Sequence, residues 1–156
     1  MKAFRKLIAI AALALISFSA YSQKRMFGEF ANNKDITTVY ISGAAMRMGL
    51  SMAGDSSSPL GQVTESIKNP QGMEVVSTEN PQAAETVRKT AGEIIARLGM
   101  ELLLNTTDED ENVNIYVGRM LDGSVMRDIL IETSEASEYT LVYIKGDVDI
   151  ESLTKP

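Results

Sequence analysis

The apolar positions of this chain change period several times, and each change predicts an element. Leu7 to Ile16 is an unbroken apolar run, LIAIAALALI, behind the cations Lys2, Arg5 and Lys6. It is shorter than the roughly 20 apolar residues that a permanent membrane helix needs. A polar, small-residue stretch (SFSAYSQ) follows, with Ala20 and Ser22 at the −3 and −1 positions of a peptidase site. The pattern predicts a cleavable export signal over residues 1–22, cut between Ser22 and Gln23, followed by a single domain over residues 23–156. No cysteine follows the apolar core, so no lipid can be attached at a new N-terminal cysteine.

Past the leader, Phe27, Phe30 and Ala31 recur at helical spacing and predict a short helix over Lys24–Asn32. The β-branched and aromatic run Ile36–Ser42 predicts a strand. Gly43 opens a helical turn to about Leu50. Ser51–Gln62 (SMAGDSSSPLGQ) reads as a loop, and a further helical turn is expected near Val63–Lys68. Met73–Thr78 reads as a second strand. Asn80-Pro81 is a helix start signal, because Asn caps free N–H groups and Pro at the first helical position loses no bond. The helix is expected to run to about Leu104, with Ala84, Val87, Ala91, Ile94, Leu98 and Leu102 on one apolar stripe widened by Ile95. Glu85–Lys89 and Glu93–Arg97 have the spacing of ion pairs on its wet face.

The last third alternates as a β-meander. Its strands are predicted around Val113–Val117, over Val125–Glu132 after the turn signal Asp122-Gly123, and over Tyr139–Lys145 after the polar loop Ser134–Ser137. Asp149 is expected to cap a short last helix. The predicted fold is α+β: a single mixed, mostly antiparallel sheet with a β-α-α-β-α-β-β-β core, a long helix packed on one face, and a C-terminal β-meander.

Composition narrows the chemistry more than it suggests any. The chain has 156 residues and a net charge of −6. Without residues 1–22, twelve basic residues remain against twenty-one acidic ones, a net charge of −9 over 134 residues. That balance argues against nucleic acid or anionic lipid as a partner, since phosphate recognition needs clustered positive charge. There is no cysteine, histidine or tryptophan. Disulfides, thiolate chemistry, the usual neutral-pH general base and the usual metal ligand are all missing.

Four clusters deserve testing against a structure. Met46, Met48 and Met52 could offer thioethers to a soft metal such as Cu(I), although methionines on short helices more often fill a core. Asp108-Glu109-Asp110-Glu111-Asn112 begins like a calcium loop, but Val113 stands where that loop needs Gly and Arg119 where it needs Glu, so a charged turn between helix and strand is expected. Ser152 and Lys155 have the spacing of a serine–lysine pair at the very end of the chain, and Asn105-Thr106-Thr107 has that of a glycosylation triplet. Two carboxylates suffice for glycoside hydrolysis, yet no pair of Asp and Glu is singled out by its context.

Several phrases line up with a known pattern. They are Val39-Tyr40-Ile41-Ser42 with Met46-Arg47-Met48, Ser77-Thr78-Glu79-Asn80-Pro81 at the long helix, Asp110-Glu111-Asn112-Val113, and Gly146-Asp147-Val148-Asp149-Ile150. With the leader, the chain resembles a domain-of-unknown-function family of short exported proteins of Gram-negative bacteria. The resemblance implies an envelope location and one α+β domain, and brings no catalytic residue or cofactor.

The expectation is therefore a non-enzymatic interaction or regulatory module, exported to the periplasm or medium, with another envelope protein as partner. No catalytic residue, metal or cofactor is assigned, and no stable membrane insertion is expected after cleavage. A periplasmic small-ligand or metal-binding protein is the second expectation, and a carboxylate-based hydrolase the third.

Overall fold

Ten regular elements are laid out in a computed structural model that describes residues 25–52, 67–123, 125–149 and 151. A single 3-10 turn, Gly28–Phe30, precedes strand β1 (Thr37–Ser42) and helix α1 (Gly43–Met52). Strand β2 (Ile67–Thr78) leads into helix α2 (Pro81–Leu98). Five strands complete the chain: β3 (Glu101–Thr107), β4 (Glu111–Val117), β5 (Met120–Asp122), β6 (Val125–Glu135) and β7 (Tyr139–Asp149). They form one seven-stranded sheet in the order β1-β2-β7-β6-β4-β3, with β5 pairing β6 beside the end of β4.

This is an α+β fold, as expected, but four details differ from the sequence reading. Every pairing among the described strands is antiparallel, so the sheet is not mixed. The expected helix over Lys24–Asn32 is only one 3-10 turn, which still buries Phe27 and Phe30 while Ala31 is exposed. Residues 67 and 68 begin a long strand rather than end a helical turn. The long helix stops at Leu98, and Leu102 lies in a strand. The proposed leader, the body of the Ser51–Gln62 loop and most of the segment expected as a last helix fall outside the described residues, and Asp149, its expected cap, ends β7.

Both ends of α2 are closed by local chemistry. The Asn80 side chain accepts from the Gln82 and Ala83 amides at 2.9 and 3.1 Å, with Pro81 behind it. At the other end Gly99 takes φ 61°, its amide donates to Ala96, and the Met100 amide donates to Ile95. This Schellman closure needs a left-handed residue, which glycine provides without a Cβ clash. It turns Met100 into the core and releases the chain as β3.

The sheet carries an apolar cluster on each face. On one face Val87, Ala91 and Ile94 of α2 pack with Phe27 and Phe30 against Val76, Leu130, Leu141 and Tyr143. The Phe27 and Tyr143 rings meet edge-on, 6.3 Å apart. On the other face, one cross-strand row runs Val39–Val75–Val142–Ile131–Ile115–Leu104. Met46 of α1 joins the cluster on this second face.

A line of irregularities crosses the sheet near one end. The register slips between Lys68 and Gly72 on β2 and between Arg127 and Ile129 on β6, at the level where β4 gives way to β5. Asp128 sits on this line at φ 64° and is buried. Its carboxylate accepts from the Tyr143 hydroxyl at 2.7 Å and from the Gly146 amide at 2.9 Å, while its carbonyl accepts from the Gly118 amide. One bulge residue thus ties β6 to β7 and to the link between β4 and β5, and bulges of this kind bend a sheet and end its regular pairing.

Candidate functional site

Few of the clusters picked out in the sequence come together. Met46 is buried and Met48 is 62% exposed, so these two thioethers do not converge, and the Met52 side chain lies outside the described residues. The acidic run is not a helix-to-strand turn. It closes the β3–β4 hairpin, with Asp108 and Glu111 exchanging backbone hydrogen bonds across it. Among the described residues, no group of three carboxylates is placed to hold a metal. Ser152 and Lys155 lie outside the described residues, and Asn105-Thr106-Thr107 forms the exposed end of β3.

Two places remain where the molecule offers something to another. The first is a cleft of about 660 Å³ at the bent end of the sheet. Tyr40, Arg47, Gly72, Glu74, Tyr143 and Lys145 are among its walls. Among the described residues its one carboxylate is already engaged: buried Glu74 accepts from the Met26 and Phe27 amides at 2.7 and 3.2 Å, pinning the segment before β1. Arg47 donates to the Pro70 carbonyl at 3.1 Å, and the Arg25 guanidinium lies 4.8 Å from the Tyr40 ring centre. Burial, then the bond to Asp128, pushes the Tyr143 hydroxyl far above its ordinary range, so it stays protonated as a structural donor.

The second place is the β3 edge. β3 ends the sheet, and among the described residues only its β4 side is paired. All seven of its residues are exposed, and three are consecutive leucines: Leu102, Leu103 and Leu104 at 54%, 40% and 46%. Met120 and Leu121 of β5 are exposed as well. Large apolar side chains grouped on an open strand edge are unusual, because such an edge is a template for pairing. A bulge between Leu102 and Leu104 is the one irregularity in its pairing with β4.

A polar network stands behind this edge on the helix-bearing face. The Asn105 amide donates to Asn114 at 2.6 Å, and Asn114 donates to Glu132 at 3.1 Å. Glu132 also accepts from the Tyr139 hydroxyl at 2.6 Å. Arg88 of α2 stacks 4.9 Å from the Tyr139 ring centre and donates to Ser134. Burial raises the Tyr139 and Tyr116 hydroxyls, and the Glu132 carboxylate raises both further.

Residues 27–155 match a family described only as a domain of unknown function, DUF4252. The chain belongs to that family. No curated protein and no solved structure matches it. The DUF4252 match begins at Phe27, whose amide Glu74 holds, and spans both helices and all seven strands of the described residues. The cleft and the β3 edge therefore both belong to the DUF4252 domain.

The sequence carried a signal for the edge that the periodic reading passed over. Three successive leucines cannot share one face of a helix, and Gly99 stands just before them as a stop signal.

Proposed function

We propose that this DUF4252 chain is an exported, non-enzymatic interaction module of the bacterial envelope, and that it docks another envelope protein along the β3 edge. The observation that carries the reading is the open edge itself: Glu101–Thr107 is exposed throughout, with three adjacent leucines and one side unpaired among the described residues. Main-chain hydrogen bonds along such an edge supply affinity, and alternating side chains supply selectivity. The export half rests on the leader pattern of residues 1–22. Among the described residues, no helix is long and apolar enough to cross a membrane.

Two experiments test the two halves. Expressed in a Gram-negative host, the chain is expected in the periplasmic fraction or the medium with Gln23 as its first residue. Cytoplasmic retention with residues 1–22 intact would remove the export half. A photo-crosslinker at Leu103 is expected to capture one defined partner that a crosslinker at Lys89, on the wet face of α2, does not. Equal capture from both positions would remove the docking half.

The cleft supports a second reading, a small-ligand site, because about 660 Å³ is ample for a small organic molecule. The hydrolase reading has least support, since the cleft's carboxylate already holds two amides.

A further inference from the structure

We infer that the segment this edge accepts is an extended stretch with an apolar centre between basic ends, added as one more strand beside β3. The inference rests on the docking reading above and names the chemistry of the partner.

The charge at both ends of the edge makes the first argument. β3 starts at Glu101 and runs into Asp108-Glu109-Asp110-Glu111. A strand laid along β3 meets carboxylates wherever it enters or leaves. Opposite charges across neighbouring strands stabilise pairing, and like charges oppose it. Lysine or arginine at both ends of the incoming segment is the complement.

The two faces of β3 set the centre. Leu104 pairs Ile115 and so extends the apolar row that begins at Val39. A side chain placed beyond Leu104 continues that row only if it is apolar. On the opposite face Asn105 pairs Asn114 and ends a chain of side-chain hydrogen bonds that starts from Glu132. Its amide nitrogen is used there, which leaves the carbonyl oxygen to accept from a hydroxyl or amide on an added strand. The segment is thus β-branched or aliphatic on one face and Thr-, Ser- or Asn-like on the other.

A second copy of this chain fits the same edge badly. Two-fold pairing of β3 with itself about Leu104 sets each Glu101 opposite the other copy's Thr107, beside its Asp108. That places like charges together twice, between chains that each carry a net charge of −6. The bulge at Leu103 further interrupts a regular self-pairing.

The test uses the full chain and three end-capped peptides. The first is Lys-Lys-Thr-Val-Thr-Val-Thr-Lys-Lys. The second has glutamate at its four lysine positions, and the third is the lysine peptide N-methylated at alternate residues. Calorimetry gives affinity, and hydrogen exchange reads the amides of residues 101–107. The lysine peptide is expected to slow exchange there and to bind at least about ten-fold tighter than the glutamate peptide, with the difference shrinking as salt rises. N-methylation should abolish binding. So should Leu104→Lys, while Leu104→Thr, which keeps strand propensity, should weaken binding in a chain whose melting is unchanged. Equal affinity of the lysine and glutamate peptides overturns the charge assignment and leaves the edge reading in place. A concentration-dependent dimer by sedimentation, lost in Leu104→Lys, overturns the inference in favour of a second copy. Protection by no peptide and no dimer would bring down the docking reading as well.

Discussion

Asp128 holds a left-handed backbone conformation that costs a residue with a Cβ about 1–2 kcal/mol relative to glycine. Its carboxylate offsets that cost by taking the Tyr143 hydroxyl and the Gly146 amide. Asp128→Ala removes both bonds, leaves a buried hydroxyl unsatisfied and keeps the backbone strain. We expect a loss of about 3 kcal/mol, read as a lower urea midpoint with an unchanged slope. Asp128→Asn, which tolerates the same φ and keeps one acceptor, should lose less. Two buried tyrosines and one half-buried one set an alkaline limit. Tyr116, Tyr139 and Tyr143 all hold their protons above the ordinary tyrosine range near 10. Above that pH the unfolded chain releases protons that the folded chain keeps, so the unfolded state binds fewer protons and stability falls as pH rises. Below it, these groups contribute fully and give no pH dependence. Unfolding followed between about pH 8 and 11 should show the urea midpoint level and then dropping, with the tyrosinate absorbance of Tyr139 and Tyr143 appearing only as the chain unfolds.

At the scale of elements, the start of the long helix was legible and its end was not. Asn80-Pro81 announced the start of α2 and the structure places both as capping chemistry requires. Leu98 and Leu102 keep helical spacing across Gly99, and that periodicity is what carried the expected helix to Leu104. The glycine wins because the left-handed turn satisfies the last carbonyls and also buries Met100. Gly99→Ala should cost about 1 kcal/mol through the positive φ, and Asn80→Ala about 1 kcal/mol through two lost acceptor contacts; thermal unfolding distinguishes either from no effect. Charge pairs were less legible than caps. Glu85 meets Arg88 rather than Lys89, since Arg88 is already drawn over Tyr139, and Arg97 turns to the Met26 sulfur. These pairs depend on what the sheet offers beneath the helix, which spacing along one helix does not contain. The β3 edge was missed because the Leu98–Leu102 spacing carried the helix past Gly99, and its pairing with β4 shows the segment to be a strand.

For the whole molecule, the two apolar clusters lie on the two faces of one sheet, and β3 adds none of its leucines to either. Replacing Leu102 and Leu104 together with lysine should therefore change stability by no more than about 0.5 kcal/mol, the range of ordinary surface substitutions, while abolishing capture at the edge. A large loss of stability in that double variant would mean the leucines belong to the fold and not to a partner.

Glu74 has a consequence for the order of events in the cell. It fastens the Met26 and Phe27 amides to the floor of the cleft. The proposed cut between Ser22 and Gln23 lies so close in sequence that fully extended chain carries it no more than about 14 Å from the Met26 anchor. A membrane-bound peptidase must seat several residues on both sides of the bond it cuts. Trimming would therefore come before the N-terminal segment docks, and the Glu74 clasp would close only on a chain already released. Glu74→Ala, which never closes it, should be trimmed at least as fast as the parent chain in a pulse-chase.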